Sequence, residues 1–261
     1  MKASVIISYY KNLDFLKLIL KSLMLQTEQD FEVIIAEDDN AQETVSFLKE
    51  QQKECFFALE HCRQENLGFR KNKILNQAVL KAKADYLILI DGDCVLHKEF
   101  VAAHLKYSKP NTVLIGRRLM LSKSLTEIAL EKEDISYFKC LNFIKHGCQK
   151  LDCALYLPFI NSTRKHGIWG CNWSLYKQMI FDVNGFDEDY VKAAVGEDVD
   201  IEWRLRANDA SFESVKFKAI QYHLYHKPNY NNDDVNHNFK ILETKQNQNL
   251  YYCKNGIVKQ A

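Results

Sequence analysis

The feature that most constrains the fold is an alternation of short apolar runs with helical patterns in the first half of the chain. Four runs rich in apolar and β-branched residues are predicted strands, at residues 3–8, 31–36, 55–60 and 86–90. Three segments between them are predicted helices, at residues 14–25, 44–51 and 71–83. Continuous apolar strands separated by helices indicate a mostly parallel sheet covered on both faces. Ligands of such sheets bind beyond the carboxyl ends of the strands.

The second half of the chain is less regular. Residues 113–115 and 215–223 are predicted strands, and residues 124–155 and 197–208 are predicted to be mostly helical. After His226 the chain is rich in Asn, Gln and Lys, which predicts a tail that either docks on the domain or remains mobile. Since no internal repeat and no Pro-, Gly- or Ser-rich linker interrupts the sequence, we expect one continuous α/β domain with a smaller subregion.

Composition narrows the class of protein. The chain has 261 residues, 47% apolar and 26% charged, as in ordinary globular proteins. A net charge of +1 excludes a general nucleic-acid binder, which would carry a basic excess. Without a signal-peptide pattern, the eight cysteines are expected to be reduced thiols in a cytoplasmic protein. The cluster Cys140, His146, Cys148 and Cys153 lacks the spacing of common zinc sites, and no run is long enough to span a membrane.

Acidic clusters follow two of the predicted strands. Asp91-Gly92-Asp93 comes directly after residues 86–90, and Glu37-Asp38-Asp39 comes directly after residues 31–36. Asp-Gly pairs commonly form turns, so a solvated turn is one interpretation of Asp91 to Asp93. Two hard oxygen ligands held at a rigid strand end would also suit a divalent cation. The position at the carboxyl ends of the strands favours a site.

Ordered sequence blocks resolve this choice in favour of a site. They are SVIISYYKN; IIAEDDN; NLGFRKNKILNQAV leading to ILIDGDC; and WGCNWSLYKQMIFDVNGFDEDY, followed by GEDVDIEWRL and YHLYH. In this order the chain resembles the GT-A type, family 2 inverting glycosyltransferases, and its C-terminal half is similar to the galactosyltransferase and chondroitin-polymerase group. The resemblance implies a GT-A domain at residues 1–228, with nucleotide-sugar binding in residues 1–115 and acceptor binding and catalysis in residues 116–228. Residues 229–261 would form a C-terminal tail.

The resemblance also implies a metal and a nucleotide-sugar donor. Asp91 and Asp93 match the family's Asp-X-Asp motif, which holds Mn²⁺ or Mg²⁺ against the donor diphosphate, and Gly92 lets the backbone turn closely around the nucleotide. A histidine from the last strand region completes the metal shell in similar enzymes. His223 is the first candidate and His226 the second.

Five further residues are implied to bind the UDP part of the donor. Ser8 and Tyr9 end the first strand beside the base and ribose, and Asp38 matches the aspartate that holds uracil. The family usually has Asp-Asp-Gly where this chain has Glu37-Asp38-Asp39, which leaves Asp39 as the alternative to Asp38. Arg70 and Asn76 match residues that approach the nucleotide, and a guanidinium fork suits a diphosphate. Lys71 and Lys73 are interpreted as solvated helix charges.

Glu197-Asp198 matches the family's Glu-Asp motif at a helix start. The resemblance makes Asp198 the general base that takes the proton from the acceptor hydroxyl, and Glu197 a hydrogen-bond partner of acceptor hydroxyls. The alternative is that both acids only cap the helix and complement its dipole.

Trp169, Gly170 and Asn172 match the loop between donor and acceptor sugars. Trp169 is expected either to stack on a sugar or to be a core residue. Relatives carry an aromatic Trp-Gly-Gly before Glu-Asp, whereas this chain has Lys-Ala-Ala-Val-Gly at residues 192–196. The acceptor of those relatives therefore cannot be transferred to this chain.

The predicted activity is metal-dependent, inverting transfer of a hexose or N-acetylhexosamine. The donor would be UDP-Gal, UDP-GalNAc, UDP-GlcNAc or UDP-Glc, and the acceptor a hydroxyl of a growing bacterial surface glycan or lipid-linked oligosaccharide. A sugar nucleotidyltransferase and a catalytically silent nucleotide-sugar-binding domain are the alternatives. The first lacks the Gly-rich basic loop expected after the first strand, and the second would be expected to lack Asp93 or Asp198. Residues 124–159 mix lysines with apolar side chains, so this region either touches a membrane surface or forms a solvated bundle.

Overall fold

The computed structural model describes residues 1–163, 167–193, 196–227 and 230–260. Within them ten strands occur: β1 (Ala3–Tyr9), β2 (Phe31–Glu37), β3 (Ala58–Arg63), β4 (Tyr86–Asp91), β5 (Cys94–Leu96), β6 (Thr112–Ile115), β7 (Arg117–Met120), β8 (Asn172–Tyr176), β9 (Ser211–Ser214) and β10 (Ile220–His223). The same part of the chain forms nine α-helices: α1 (Leu13–Met24), α2 (Gln42–Glu54), α3 (Lys71–Lys81), α4 (Phe100–Tyr107), α5 (Lys123–Glu131), α6 (Cys140–Lys145), α7 (Lys177–Phe181), α8 (Glu197–Ala207) and α9 (Asn232–Asn247). A short 3-10 helix spans Leu151–Ala154.

The main sheet has seven strands in the order β3-β2-β1-β4-β8-β6-β9. The first four are parallel to one another, as the sequence predicts. β8 is antiparallel to both of its neighbours, β4 and β6, and β9 is parallel to β6. The sheet is therefore mixed. Its parallel half places the carboxyl ends of β1, β2 and β4 at one edge.

Alternate side chains of the central strands enter two separate apolar cores. Val5 and Ile7 of β1 belong to the core on one face, with α1, whereas Ile6 belongs to the core on the other face, with α3 and α8. Burial on both faces explains why these strands read as continuous apolar runs rather than as alternating ones.

A second sheet of three short strands, in the order β5-β10-β7, lies beyond the carboxyl end of β4. β5 begins at Cys94, directly after Asp93, and pairs antiparallel with β10 so that His223 lies opposite Cys94. This pairing brings the end of the predicted last strand next to the Asp-Gly-Asp turn.

The prediction of a mostly helical segment over residues 124–155 is only partly right. α5 ends at Glu131, and Glu133 then adopts a positive φ of 46°. Only α6 and the 3-10 helix are helical in the remainder of that segment. Lys150 has a left-handed backbone at φ 57°, which separates these two helices. A continuous helix is incompatible with such residues because they turn the chain away from the helical path.

The C-terminal segment docks on the domain among the described residues. α9 begins with a capping box formed by Asn231 and Asp234. Further along, the Asn184 side chain donates to the carbonyl oxygens of Cys253 at 2.6 Å and Val258 at 2.8 Å. Of the two alternatives for the tail, the docked one is therefore observed. The predicted boundary at residue 228 lies outside the described residues. None of the described helices is long and apolar enough to cross a membrane.

Candidate active site

An open cleft of about 880 Å³ lies beyond the carboxyl ends of β1 and β4. Nine of the predicted site residues line it: Ser8, Asp91, Gly92, Asp93, Trp169, Gly170, Glu197, Asp198 and His226. A second cleft, of about 790 Å³, lies beside β6 and β9 and contains none of them. The first cleft is therefore the candidate active site.

The turn after β4 fits closely against the end of β1. The Gly92 N–H donates to the Ser8 carbonyl oxygen at 2.7 Å. A Cβ atom at position 92 would lie 2.8 Å from that same oxygen, so only glycine fits without a shift of backbone. This close approach sets the directions in which the Asp91 and Asp93 carboxylates leave the turn.

Asp93, His223 and His226 form a cluster with the composition of a metal site. The Asp93 Oδ2 atom lies 3.2 Å from His223 Nε2 and 3.0 Å from His226 Nε2. Burial would raise the pKa of Asp93, but hydrogen bonds from the two imidazoles lower it well below its usual value. The carboxylate is thus held in the charged form that a metal requires. Both predicted histidines reach Asp93.

Asp93 has a further partner in the next residue. The Cys94 thiol donates to the Asp93 Oδ1 atom at 2.8 Å, and Cys94 is fully buried. The His223 side chain is also buried, and its Nδ1 atom has no hydrogen-bond partner among the described atoms. The cluster therefore has one buried imidazole, His223, and one that is more than a third exposed, His226.

Glu197 and Asp198 lie at the first turn of α8 and face the same cleft. Burial raises the pKa of Glu197 to about 7, although the Lys71 ammonium opposes the shift. Burial also raises the pKa of Asp198 above its usual value. One Asp198 oxygen accepts from the Val199 N–H at 2.9 Å. Gly196 is the N-cap of α8 and no side chain caps the helix, so the two acids lie in its first turn, where they complement the helix dipole and also line the cleft.

Lys71 is a site residue that sequence reasoning missed. Its Nζ atom lies 2.9 Å from Asp91 Oδ1 and 3.7 Å from Glu197 Oε1, and its side chain is only 18% exposed. Although burial alone would lower its pKa, the surrounding carboxylates raise it, so the ammonium stays charged. The interpretation of Lys71 as a solvated helix charge is wrong. Lys71 is the first residue of α3, at the edge of the sheet where the parallel strands end. Because ligands of such sheets bind at this edge, that position could have identified Lys71 as a site residue.

Arg118 and Lys150 are two further cations of the cleft that the sequence did not single out. Arg118 NH1 lies 3.9 Å from Asp91 Oδ2. The Lys150 ammonium lies 4.3 Å from the centroid of the Trp169 ring, and the Arg117 guanidinium lies 4.5 Å from it. Trp169 is half-buried and lines the cleft, so it combines the two predicted alternatives of a packed tryptophan and a ring open to a ligand.

Asp38 does not line the cleft, but it is bonded to Arg70, the residue that precedes the cleft residue Lys71. Its carboxylate accepts from the Arg70 backbone N–H at 2.6 Å and from Gln64 Nε2 at 2.7 Å. Burial raises the pKa of Asp38 above its usual value, although the hydrogen bonds from Arg70 and Gln64 oppose part of this shift. Asp39, the alternative, is less buried and lies 3.8 Å from Lys11. Gln64 was not expected from the sequence.

Four predicted residues have their side chains engaged away from the cleft wall. Tyr9 packs in the core under β1, and the Arg70 guanidinium donates to the Glu65 carbonyl. Asn76 bonds the backbone of Phe186 at 2.8 Å in both directions.

Asn172 is the fourth of these residues. It is fully buried between the carbonyl oxygens of Arg117 and Ala219 and the His104 ring. The Lys-Ala-Ala-Val-Gly segment that replaces the family's aromatic platform includes Ala194 and Val195, which lie outside the described residues.

Comparison with known proteins gives a consistent result. The sequence profile described as glycosyl transferase family 2 matches residues 4–168. An uncharacterized glycosyltransferase of Bacillus subtilis, YfnE, is 38% identical over 120 residues, which are 44% of this chain and 30% of that protein. An uncharacterized glycosyltransferase of Rickettsia felis is 26% identical over 118 residues, 44% of this chain and 18% of that protein. The chain thus matches less than a third of the length of these relatives.

Two solved structures share the architecture. Residues 1–349 of Staphylococcus aureus TarS in complex with UDP superpose with a TM-score of 0.62 at 16% identity, covering 94% of this chain and 65% of that one. The mannosyltransferase PcManGT of Pyrobaculum calidifontis, in complex with GDP-Man and Mn²⁺, gives a TM-score of 0.57 at 15% identity, covering 94% and 61%. At such low identity the likeness establishes the fold, a mixed α/β sheet of the GT-A type, as the sequence predicts.

Proposed function

The chain belongs to glycosyl transferase family 2, and we propose that it transfers a hexose or N-acetylhexosamine from a UDP-sugar to a hydroxyl of a growing glycan, with inversion and with a divalent cation. One observation carries the proposal: Asp93 and His226 of the cluster line the same cleft as the Glu197-Asp198 pair, and the buried His223 contacts Asp93 from behind. A cation site and a base on the same cavity are what an inverting transfer from a nucleotide sugar requires.

The donor atoms of the cluster fit a divalent metal. Metal–ligand bonds of about 2.1 Å place adjacent ligand atoms about 3 Å apart, which agrees with the separations of Asp93 from His223 and His226. A mixed carboxylate and imidazole set favours Mn²⁺ over Mg²⁺, which prefers oxygen alone. When bound, the cation would act as a Lewis acid that offsets charge on the departing diphosphate.

Protein cations supply further positive charge for a diphosphate. Lys71 and Arg118 lie on the cleft wall beside Asp91, and Lys150 lies on the same wall near Trp169. We assign the diphosphate to the space between these side chains, since point charges and guanidinium forks both bind phosphate oxygens. Ser8 and Gly92, which line the same cleft, are assigned to the donor, and Asp38 is assigned to accept from the uracil N3–H.

Asp198 is assigned as the general base. It lies on the cleft wall, and burial raises its pKa towards the range in which a carboxylate takes up a proton. Glu197, which is also close to Lys71, is assigned to orient acceptor hydroxyls and to keep the Lys71 ammonium in place.

Trp169 and Gly170 would form the platform between the two sugars. In this proposal residues 1–115 bind the donor, and residues 116–228 bind the acceptor and supply the base. The family resemblance supports a surface-glycan or lipid-linked acceptor, and a cytoplasmic location completes the proposal.

The test measures UDP release from a panel of UDP-sugars with Mn²⁺ or Mg²⁺, with and without EDTA. We expect release from at least one sugar, loss of release with EDTA, and recovery when the metal is restored. Asp93→Asn should lower metal-dependent release about a hundredfold or more, because it removes a charged ligand. Asp198→Asn should abolish transfer to acceptor while UDP binding, measured by calorimetry, is retained.

Asp209→Asn is the matched control, because Asp209 is an exposed aspartate just after the same helix α8 and outside the cleft. It should leave UDP release unchanged. Undiminished transfer by Asp198→Asn would assign the base elsewhere, and metal-independent release would refute the cation site.

A further inference from the structure

An apolar face on residues 141–160 remains open to solvent. Six large apolar side chains there are more than 40% exposed, and Phe159 at 88% and Leu141 at 82% are the extremes. We define the apolar face by these six residues: Leu141, Ile144, Leu155, Tyr156, Phe159 and Ile160. Helix α6, which carries Leu141 and Ile144, packs against the 3-10 helix that leads directly to Leu155. Exposed apolar groups brought together in this way mark interaction surfaces rather than ordinary solvent-facing positions.

The apolar face belongs to a well-anchored part of the chain. On α6, Phe143 is buried in the main core, whereas Leu141 and Ile144, three residues apart, share the opposite side. Downstream, the Leu157 N–H donates to the Phe217 carbonyl at 2.8 Å, and the Tyr107 hydroxyl donates to the Pro158 carbonyl at 3.1 Å. The exposure of the apolar face is therefore fixed by the packing beneath it.

Positive charge accompanies the apolar face. Residues 139–161 contain three lysines, Lys139, Lys145 and Lys150, all of them exposed, and one acidic residue, Asp152. Asp152 is bonded to Lys216 at 2.5 Å. Because Asp152 is paired with Lys216 and the Lys150 ammonium lies over Trp169 on the cleft wall, Lys139 and Lys145 supply the positive charge beside the apolar side chains.

We propose that the apolar face and its lysines rest on the surface of a bilayer that contains anionic phospholipids. Apolar side chains flanked by lysines enter the boundary between headgroups and acyl chains, while the ammonium groups meet lipid phosphates. A second copy of the chain is a poorer occupant, because a symmetric contact would bring the same lysines against each other.

The position of Lys150 connects this surface with the cleft. Lys150 follows α6 and precedes the 3-10 helix that leads to Leu155, and its ammonium lies against Trp169 on the cleft wall. A chain resting on this face would therefore hold its cleft next to the lipid headgroups. That consequence rests on the proposed function, since it implies an acceptor that is itself carried on a lipid.

The test is flotation of the 261-residue chain with two kinds of vesicle. One kind is phosphatidylcholine alone, and the other is phosphatidylcholine mixed with phosphatidylglycerol. We expect binding to the mixed vesicles and its loss at high salt, which screens the lysines. Lys139→Gln with Lys145→Gln should lower the partition coefficient by about fivefold per lysine. Leu141→Gln with Phe159→Gln should lower it by at least about tenfold.

The matched control is Leu25→Gln with Leu80→Gln, two leucines that are 60% and 57% exposed outside the apolar face. This pair should bind the mixed vesicles like the unchanged chain. UDP release in solution, without vesicles, should be the same for all three double variants, which confirms that each of them folds.

Three results would overturn the inference. The first is that the unchanged chain does not bind mixed vesicles. The second is that the Leu141→Gln and Phe159→Gln variant binds them as well as the unchanged chain does. The third is that the unchanged chain binds no vesicles but self-associates in sedimentation, and that this variant abolishes the self-association. Because flotation needs no donor sugar, vesicle binding without UDP release would refute only the proposed function, and UDP release without vesicle binding would refute only this inference.

Discussion

Removing the Lys245 ammonium is a stringent test of how the C-terminal helix is held on the domain. Lys245 reaches from α9 to Asp189 at 2.6 Å and to Asp187, which is fully buried. Both aspartates belong to the turn that precedes the helix of Glu197 and Asp198. Lys245→Met keeps most of the aliphatic stem but leaves the Asp187 carboxylate buried without its cation.

The magnitude follows from the burial of Asp187. Breaking a buried ion pair from one side costs about 3–5 kcal/mol. The lower end applies here, because Asp187 keeps the backbone N–H of Asp189 at 3.1 Å and can take up a proton. We therefore expect a loss of about 3 kcal/mol in unfolding free energy, which for a chain of this size lowers the melting temperature by about 6–12 °C.

Urea and thermal unfolding, followed by circular dichroism, measure this loss. Lys53→Met is the control, because Lys53 pairs with Glu50 on the surface, where both side chains are about two-thirds exposed. It should produce only a small fraction of the shift. Lys245→Met combined with Asp187→Asn should recover most of the stability, because the orphaned charge is then gone.

The pH dependence gives a second check on the same variant. Burial raises the pKa of Asp187 even with Lys245 present, and loss of the ammonium should raise it further. The folded state then binds the proton more tightly than the unfolded state, so the destabilisation should shrink as pH falls. A shift no larger than that of Lys53→Met, or a double variant no more stable than Lys245→Met, would refute the reasoning.

Three further outcomes are expected. Gly92→Ala should cost about 1–3 kcal/mol and reduce UDP release, because its methyl group would meet the Ser8 carbonyl; thermal melts and the release assay check both. Asn172→Ala should cost about 2–3 kcal/mol in urea unfolding, because it strands the buried carbonyl oxygens that Asn172 now satisfies. Burial lowers the pKa of His104 to about 4, so stability should fall by about 3 kcal/mol as pH drops from 6.5 to 4, and His104→Gln should flatten that slope in pH-dependent unfolding.

The parallel half of the sheet could be predicted because its signal is local. Strands buried on both faces are apolar at most positions, so the sequence shows β1, β2 and β4 at nearly their observed bounds. The predicted β3 begins three residues too early. Cys55 to Phe57 are apolar or aromatic and therefore resemble a strand, but the pairing of β3 with β2 begins only at Ala58.

The short strands after β4 could not be found in this way. β5, β7 and β9 have three or four residues each, too few to establish a period of two. Their pairing partners lie far away in the chain, so only the tertiary structure defines them. Asn172 is predicted to lie in the loop between donor and acceptor sugars, yet it begins β8, the antiparallel strand between β4 and β6.

α9 was missed for a different reason. Its Asn, Gln, Asp and Lys residues give little apolar periodicity, and only Asn238, Leu242 and Lys245 are buried. The capping box of Asn231 and Asp234 was a readable start signal. The sequence did not indicate which surface of the domain α9 packs against. A Cβ atom added at Gly196 would lie 2.7 Å from the Cβ of Asn238, so α9 packs closely against this glycine just before Glu197 and Asp198. The φ of 147° at Gly196 also favours glycine.

The cluster of Asp93, His223 and His226 follows from strand register rather than from proximity in sequence. The Asp93 backbone carbonyl accepts from the Leu224 N–H at 2.9 Å, and Cys94 lies opposite His223 in the β5 and β10 ladder. Because side chains alternate across a strand, a slip of one residue would direct His223 to the other face and put Leu224 in its place. A leucine side chain offers no ligand atom. The register that closes the small sheet therefore also determines which side chains join Asp93 in the cluster. Asp93 and His226 are about 130 positions apart in the chain. Their sequence positions alone therefore do not suggest a shared site, and only the family resemblance did so.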